Sequence, residues 1–393
     1  MNMVLTPKAF AQDQASIEGV MTTRILDATG LLALGPEWEE LVDHALEENA
    51  FYSRQYSTAL ICNIEKRPLK AITVWRDETL VALWPFVSDR LHWGGVKSLN
   101  KAWTTDYTTT SIPLIDKRWV EGAVSALFDV MGTTATGSDL WLLPNISLEG
   151  PVNTALQSEM AKRSLPSQVY DAFERAVLIS RGTVDDHMKE HVSKSRRKDL
   201  RRNRKRLDEL GDVTWTHHYS GEDLEEAINA FLRIEASGWK GNRGTALDCA
   251  DNTRAFAKAA FTEQDGKCIT RADVLRLDGV AIAINLSLIS GNTAFTIKCA
   301  YDDAYRGQSA GLLLEEEMIR SVLEDKWIDR LDSAAVSGHL ITSFWNETIK
   351  IGDILIDANP VPMPARFKAW SQVEMVRRSL RAKAKELFNR LRD

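Results

Sequence analysis

The segment from Phe295 to Glu317 has the residue types and the order of elements that a phosphate-binding site needs. An apolar, strand-like run leads into a short loop of mostly small residues, Arg306 to Gly311, and then directly into a helix-patterned segment. Backbone N–H groups at the start of a helix have no partner within the helix, and the aligned peptide dipoles favour negative charge there. Small side chains let a phosphate approach the main chain. The sequence therefore predicts a phosphate site at this loop.

An internal repeat predicts the elements that position this loop. Residues 72–87 read as two strands joined at Asp77, and residues 274–289 read the same way with Asp278 at the turn. Two copies of one α/β unit are therefore expected. Only the second hairpin is followed by a further strand and the small-residue loop, so only this copy is predicted to bind a phosphate.

Length and composition favour a two-domain, water-soluble protein. The chain has 393 residues, of which 44% are apolar and 26% charged. Its apolar runs are too short to span a bilayer, so we expect a cytoplasmic protein. The four cysteines form no CxxC pair and lie away from histidines at metal-ligand spacing. We expect no metal site.

The most conspicuous charge run is a predicted helix that holds nine lysines and arginines between Lys194 and Arg206, offset only by Asp199. The whole chain nevertheless carries a net charge of −6. The residues outside this run are therefore acidic in sum, which is rare in a protein that coats nucleic acid. Three interpretations stay open: a solvated helix face, a basic face that meets phosphates of a cofactor or acceptor, and a nucleic-acid surface.

Several segments resemble one family of enzymes. They are SKSRRKDLRRNRKRLDELG, FLRIEASGWKGNRGTAL, LRLDGVAIAINL and FTIKCAYDDAYRGQSAGLLLEEEMI. Together they make residues 180–357 resemble tandem GNAT-fold acyltransferases of the CelD-like group, named from cellulose biosynthesis, and more distantly the FemAB aminoacyl transferases. The phosphate loop of that family has the form R-x-x-G-x-G/A. Arg306 and Gly311 match it, whereas Ser309 replaces a glycine.

The resemblance implies an α/β (α+β) fold of tandem GNAT-like domains, each with a mixed, mostly antiparallel sheet flanked by helices. Four segments are expected: a flexible tail at 1–20, a degenerate N-terminal domain without a cofactor loop at 21–180, a C-terminal acyltransferase domain at 181–368, and a basic amphipathic helix at 369–393.

The resemblance also implies the reaction. The donor would be acetyl-CoA or another acyl-CoA, with no metal, and the acceptor an amine of a small molecule or of a saccharide precursor of the cell envelope. Donor contacts are expected from Lys298, Cys299, Ala300, Arg306, Gly307, Gln308, Ser309, Ala310, Gly311 and Leu312. Aminoacyl-tRNA as donor, transfer to a hydroxyl, and a non-enzymatic protein that binds nucleic acid or an acidic polymer stay open.

Acyl transfer to an amine needs a polarised carbonyl, a base, and a proton donor for the leaving thiolate. Asp332 is the preferred base, and Glu235 and Asp302 are the other candidates. Tyr305 is the candidate proton donor. Asp302 would otherwise cap a turn, and Glu235 would otherwise pair with a basic neighbour. The predicted acceptor contacts are Trp239, Lys240, His339 and Trp345.

The C-terminal segment has apolar residues at helical spacing between Val373 and Leu391, with arginines and lysines at most other positions. Such a helix would either dock its apolar stripe on the protein or lie on an anionic membrane, peripheral to the inner membrane. We favour docking. The oligomeric state is left open.

Overall fold

The computed structural model describes residues 20–263, 265–336, 340–359, 361 and 363–390. The strands are β1 (Met21–Asp27), β2 (Leu69–Arg76), β3 (Thr79–Asp89), β4 (Leu99–Ala102), β5 (Leu114–Ile115), β6 (Leu140–Ser147), β7 (Ser167–Ile179), β8 (Val213–His218), β9 (Cys268–Leu277), β10 (Val280–Ser290), β11 (Thr293–Tyr301), β12 (Arg330–Asp332) and β13 (Glu347–Asp357). The helices are α1 (Ala28–Leu32), α2 (Pro36–Asp43), α3 (Arg54–Asn63), α4 (Val120–Met131), α5 (Pro151–Lys162), α6 (Val184–His191), α7 (Lys194–Asp208), α8 (Gly221–Ser237), α9 (Trp239–Asn242), α10 (Asp251–Phe261), α11 (Ala310–Glu324) and α12 (Pro364–Arg390).

The strands form one mixed sheet in the order β1-β2-β3-β4-β6-β13-β7-β12-β11-β10-β9-β8, and β5 pairs with β3. Each half of the sheet has the same plan. Read from its outer edge, each half has three successive antiparallel pairings followed by one parallel pairing, β4 with β6 in the first and β11 with β12 in the second. The repeat predicted from the two hairpins is therefore present in the fold.

Both hairpin turns have the backbone that their sequences favour. Asp77 has φ of 54°, Asp278 has φ of 48°, and Gly279 has φ of 79°. Aspartate and glycine are among the few residues that adopt this left-handed region readily. These turns fix the register of β2 with β3 and of β9 with β10. They therefore also determine where the strand that follows each hairpin begins.

The two halves exchange strands at the centre of the sheet. β7 comes from the first half of the sequence, yet its end pairs with β12 of the second copy. β13 comes from the second half, yet it pairs with β6 of the first copy and with β7 along most of its length. The division at residue 180 stays a prediction, and the strand exchange makes the two copies one continuous sheet. The predicted tail at 1–20 lies almost wholly outside the described residues.

Helices cover both faces of the second copy. Phe231 of α8 and Phe256 of α10 belong to a buried cluster with Leu286 of β10. A separate cluster joins Leu207 of α7 and Leu314 of α11. In the second copy the sheet therefore lies between two layers of helices. The predicted phosphate loop, Arg306 to Gly311, lies on the side of the sheet that α11 covers.

The C-terminal helix α12 docks on the first copy, but not through the predicted apolar stripe. The Trp370 ring stacks on Trp93 with centroids 4.6 Å apart, and the buried Glu374 accepts a hydrogen bond of 3.0 Å from Trp93 Nε1. Val373, Val376 and Leu380 are 43%, 54% and 62% exposed. Docking uses the other face because the tryptophan pair buries more apolar area and because this face pairs the Glu374 carboxylate.

Contact of this exposed stripe with a membrane stays a prediction, and Leu387 and Leu391 lie outside the described side chains. Within the described ranges, every helix is too short or too polar to cross a bilayer.

A buried carboxyl group lies at the boundary of the two copies. Glu47 is 8% exposed, and its Oε2 accepts a hydrogen bond of 3.1 Å from the N–H of Val152 at the start of α5. Burial raises the pKa of Glu47 to about 7, although the Val152 N–H and the charge of Arg330 oppose this, and Glu48 and Asp332 add to the rise. In the unfolded chain this carboxyl group ionises near its ordinary pKa.

Glu47→Gln should therefore raise stability at pH 8 and leave it nearly unchanged at pH 4. A carboxyl group whose pKa is raised by folding lowers the free energy of unfolding as the pH rises from about 4.5 to 7, by at most about 3 kcal/mol. Urea denaturation of both proteins across this range measures the difference. The exposed Glu149→Gln serves as control. A constant difference between E47Q and the native chain across the range would contradict the expectation.

Candidate active site

The phosphate loop has unpaired backbone donors at the start of α11. Residues Asp303–Gln308 form a short 3₁₀ helix, and Ser309 then precedes α11. The N–H groups of Leu312 and Leu313 both bond to the carbonyl oxygen of Ser309, at 2.9 and 3.1 Å. Among the described residues, no hydrogen bond uses the N–H groups of Ala310 and Gly311. These two donors and the positive end of α11 are suited to bind an anion, as the sequence predicts.

Ser309 takes the backbone conformation that explains the glycine of the family loop. Its φ of 55° and ψ of 46° lie in the left-handed region, where a side chain costs about 1 kcal/mol relative to glycine. A hydrogen bond offsets this cost, because Asn203 Nδ2 of α7 donates to Ser309 Oγ at 3.1 Å. The serine is therefore compatible with the loop and fastens it to α7.

Ser309→Ala should be less stable than Ser309→Gly by about 1 kcal/mol. Alanine keeps the strained φ and leaves the buried Asn203 amide without its acceptor, whereas glycine loses the hydrogen bond but relieves the strain. Chemical denaturation of the two variants beside the native chain measures this order. Equal stability of S309A and the native chain would mean that the Asn203 bond contributes nothing.

The strand before the loop opens away from its neighbour. β12 pairs with β11 only over three residues, Thr293 to Phe295, and Thr296 Oγ1 then donates to the carbonyl oxygen of Ser333 at 2.9 Å. A break in the register with β10 falls at the same level, between Leu286 and Ser287. In the part of the chain that the structure describes, residues 297–301 therefore have a strand on only one edge. The predicted donor contacts Lys298, Cys299 and Ala300 lie on this open edge.

A cleft lies between the open edge and the end of α8. Its lining includes five residues predicted for the site from the sequence, which are Glu235, Trp239, Lys240, Cys299 and Ala300. Tyr301 and Asp303, at the entry to the phosphate loop, complete the same wall. The structure thus brings one of the candidate bases, two of the predicted acceptor contacts and two of the predicted donor contacts into one cleft. Trp239 is 52% exposed, so it forms the rim rather than core packing.

Glu235 is the buried carboxylate of this cleft. Its side chain accepts a hydrogen bond of 2.7 Å from Lys240 Nζ and one of 2.8 Å from the N–H of Leu247, and it is 4% exposed. The ion pair with a basic neighbour, which the sequence left open, is present. A fixed carboxylate beside a cleft is also suited to hold an ammonium group and accept its proton.

The open strand contacts the first copy through Lys298. Lys298 Nζ lies 5.0 Å from the ring centroid of Tyr107, which comes from the loop after β4. Burial lowers the pKa of Lys298, and the charge of Glu235 opposes this effect. Lys298 therefore lies between the carboxylate of the second copy and an aromatic ring of the first, as a residue that shapes the site.

Three of the four predicted catalytic residues lie outside the cleft lining. Asp332 is 2% exposed and faces two arginines, with Oδ2 3.2 Å from Arg330 Nη2 and Oδ1 3.9 Å from Arg175 Nη1. Asp302 accepts a hydrogen bond of 2.9 Å from the N–H of Ala304, as a turn cap does. Tyr305 packs beside the cluster that contains α11. Their catalytic roles stay predictions.

Trp345 and His339 complete the predicted set. Trp345 is buried on the α11 side of the sheet, where Nε1 donates to Glu315 Oε1 at 2.6 Å. His339 lies outside the described residues. Both acceptor contacts stay predictions.

Glu315 is a titratable group that the sequence reasoning missed. Burial raises its pKa to about 7, although the hydrogen bond from Trp345 opposes this, and the charge of Asp273 adds to the rise. Its electrostatic effect reaches Cys299 on the open strand. The sequence could have indicated Glu315, because a residue four positions after Gly311 lies on the same face of α11.

The basic helix α7 lies directly against the phosphate loop. Arg196, Arg202 and Arg206 line a cavity of about 250 Å³ together with Gly307, Ser309 and Leu312. The opposite flank is neutralised, since Arg204 Nη1 lies 2.9 Å from Glu317 Oε1 and Arg204 Nε 3.0 Å from Asp208 Oδ1. Part of the basic face of α7 thus lies beside the predicted phosphate loop, and the three interpretations of this helix stay predictions.

The sequence of this second copy matches a known family. Residues 194–335 match the family model described as Acetyltransferase (GNAT) domain. The matched segment contains α7, the open strand β11, the loop from Arg306 to Gly311 and the cleft. No curated protein matches the chain by sequence, and the narrower resemblance to the CelD-like group stays a prediction.

Solved structures share the fold of this chain. FemX is similar with a TM-score of 0.56 at 11% identity, over 81% of this chain and 95% of that one. The C-terminal domain (DUF2156) of a protein described as a lysylphosphatidylglycerol synthetase from Agrobacterium fabrum has a TM-score of 0.52 at 12% identity, over 87% and 95%. Such identities show the fold alone. The predicted fold class, a mixed and mostly antiparallel sheet flanked by helices, is confirmed.

Proposed function

We propose that the protein is an acyl-CoA-dependent N-acyltransferase that transfers an acyl group directly from acetyl-CoA or a longer acyl-CoA to an amine. The acceptor would be a small molecule or a saccharide precursor of the cell envelope, and the reaction would take place in the cytoplasm. The match of residues 194–335 to the GNAT acetyltransferase domain supports the reaction class.

One observation carries the proposal. The strand that leads into the free N–H groups of Ala310 and Gly311 is the same strand that opens away from β12. A donor whose pyrophosphate binds these N–H groups has an unpaired strand edge beside it, along which the pantetheine arm can run. Along this edge, Glu235 and Lys240 line the cleft with Cys299 and Ala300. In the proposal, the phosphate, thioester and acceptor sites would therefore lie next to one another along β11.

In this proposal each residue has a defined task. The open edge of β11 near Ala300 donates a backbone N–H to the thioester oxygen and stabilises the negative charge that develops on it. Glu235 accepts the proton of the acceptor ammonium, so that the amine attacks the carbonyl carbon. The carbon–sulfur bond then breaks, and the thiolate leaves with a proton that Tyr305 is predicted to supply. Trp239 and Lys240 orient the acceptor at the rim of the cleft.

Isothermal titration with acetyl-CoA and a series of longer acyl-CoAs tests the donor. We expect saturable binding, and a thioester that copurifies with the protein would be identified by mass spectrometry. Release of free thiol in the presence of a panel of amines and amino sugars then tests the transfer. The absence of binding to every acyl-CoA would overturn the proposal.

An aminoacyl-tRNA-dependent transferase is the second candidate, because the fold resembles that of FemX and because α7 is rich in arginine. A polyanion-binding protein without catalysis would use the same helix. Binding of charged tRNA together with failure to bind acyl-CoA would favour the first of these, and binding of any RNA or acidic polymer without transfer would favour the second. We favour acyl-CoA because the phosphate site is a local cavity flanked by acidic α11 rather than an extended basic surface.

A further inference from the structure

The donor site has more positive charge than a pyrophosphate group requires. The two free backbone N–H groups of Ala310 and Gly311 and the positive end of α11 already attract an anion to the loop. In addition, the cavity beside it is lined by three arginines and one aspartate, a net charge of +2. Asp199 Oδ1 lies 3.0 Å from Arg202 Nη2. In the described part of the chain, Arg196 and Arg206 have no ion pair with an acidic residue.

The distribution of charge around α7 is uneven. On the flank that faces α11, Arg204 is paired with Glu317 and Asp208. On the outward side, Lys198 and Lys205 are exposed to solvent. Within the described residues, the flank that lines the cavity holds two arginines without an ion pair, Arg196 and Arg206, in a concave space. Arginine presents a planar fork of donors that suits a phosphate group in such a space.

The anchoring of α7 makes this charge a fixed feature of the site. Leu200 and Leu207 are buried in the core, and the bond from Asn203 to Ser309 fastens the helix to the loop itself. Asn203 lies between Arg196 and Arg206 along the helix, at spacings of seven and three residues, so the three side chains share one face. The arginines are therefore held beside the free N–H groups of the loop.

We propose that Arg196, Arg202 and Arg206 of α7 bind a second phosphate group of the donor, the 3′-phosphate of coenzyme A. This inference rests on the proposed use of an acyl-CoA. A phosphate monoester carries a charge near −2 at neutral pH, which matches the cavity. The monoester and the pyrophosphate are attached to the same ribose, so their binding sites must be adjacent, as the cavity and the loop are. An extended RNA backbone would instead need a continuous basic surface, which the acidic α11 interrupts.

The test compares coenzyme A with 3′-dephospho-coenzyme A by isothermal titration. The native chain should bind coenzyme A at least about tenfold more tightly, a difference of about 1.4 kcal/mol. The double variant R196Q/R206Q should lose this preference, so that both ligands bind within about threefold of each other. The control K198Q/K205Q makes the same change of charge on the outward side of the same helix, and it should keep the preference.

The outcomes separate this inference from the proposed function. Equal binding of the two ligands by the native chain, or an unchanged preference in R196Q/R206Q, would overturn the second phosphate site and leave an acyl-CoA transferase in place. If K198Q/K205Q lost the preference for coenzyme A to the same extent, the preference would come from the overall charge of α7. This result would also overturn the second phosphate site. If neither ligand binds and charged tRNA does, the proposed function fails, and this inference fails with it.

Discussion

Glu235→Gln is expected to lower kcat for acyl transfer by about 10² to 10³-fold while the Kd for acetyl-CoA stays within about threefold of its native value. Removal of a general base typically costs a factor of this size. Glutamine has nearly the same shape and can still accept the hydrogen bond from the N–H of Leu247, but it cannot accept a proton. Thiol release under saturating donor measures kcat, and isothermal titration measures donor affinity.

Glu226→Gln is the matched control for this variant. Glu226 lies on the same helix α8 and also pairs with a basic residue, since its Oε2 lies 3.0 Å from Arg276 Nη2, but it lies outside the cleft lining. Its kcat should stay near the native value. If E235Q keeps kcat within threefold, Glu235 is not the base, and Asp332 or Glu315 becomes the residue to replace. Far-ultraviolet circular dichroism of each variant checks that the fold is retained.

Gly311→Leu is expected to weaken acetyl-CoA binding at least about a hundredfold. A Cβ at this position would lie 3.2 Å from Tyr301 Cδ1, which is a tight contact, and the rest of the leucine would extend over the free N–H groups at the start of α11. A phosphate group could then no longer approach the main chain. A hundredfold change corresponds to about 2.7 kcal/mol, which titration calorimetry resolves easily.

Gly35→Leu serves as control for the cost of adding a side chain at a glycine. A Cβ at Gly35 has no neighbour within 4 Å, and the residue lies before α2 in the first copy, far along the chain from the loop. Its donor affinity should be unchanged. Native-like affinity in G311L would mean that the donor phosphates bind elsewhere, and this result would also remove the basis of the second phosphate site.

Much of the local structure could be predicted from the sequence, because it depends on residues that are neighbours in the chain. The turn at Asp278 and Gly279 needs left-handed backbone, which these residue types adopt readily. The strand, small-residue loop and helix from Phe295 to Glu317 appear in the structure in the predicted order. The sequence also showed that Ser309 stands where the family loop has a glycine. Its hydrogen bond to Asn203 could not be predicted, because that bond joins residues 106 positions apart.

The role of the candidate carboxylates could not be predicted in the same way. Asp332, Asp302 and Glu235 all lie in segments that favoured a site, yet burial and partners differ for each. Two arginines face Asp332, and one of them, Arg175, comes from the first copy. Glu315 is the first of three consecutive glutamates, and its burial, to which the charge of Asp273 adds, raises its pKa to about 7. Burial and distant charges are properties of the packed chain.

The two copies of one unit, the predicted phosphate loop in the second copy and the basic helix could be predicted because they follow from hydrophobic period, turn residues and local charge. How these parts meet depends on contacts that form in the folded chain. The exchange of β7 and β13 joins the copies into one sheet, the opening of β11 from β12 exposes a strand edge, and α7 packs against the loop. Each of these contacts joins residues far apart in sequence, so it is set by the balance of burial and pairing over the whole chain.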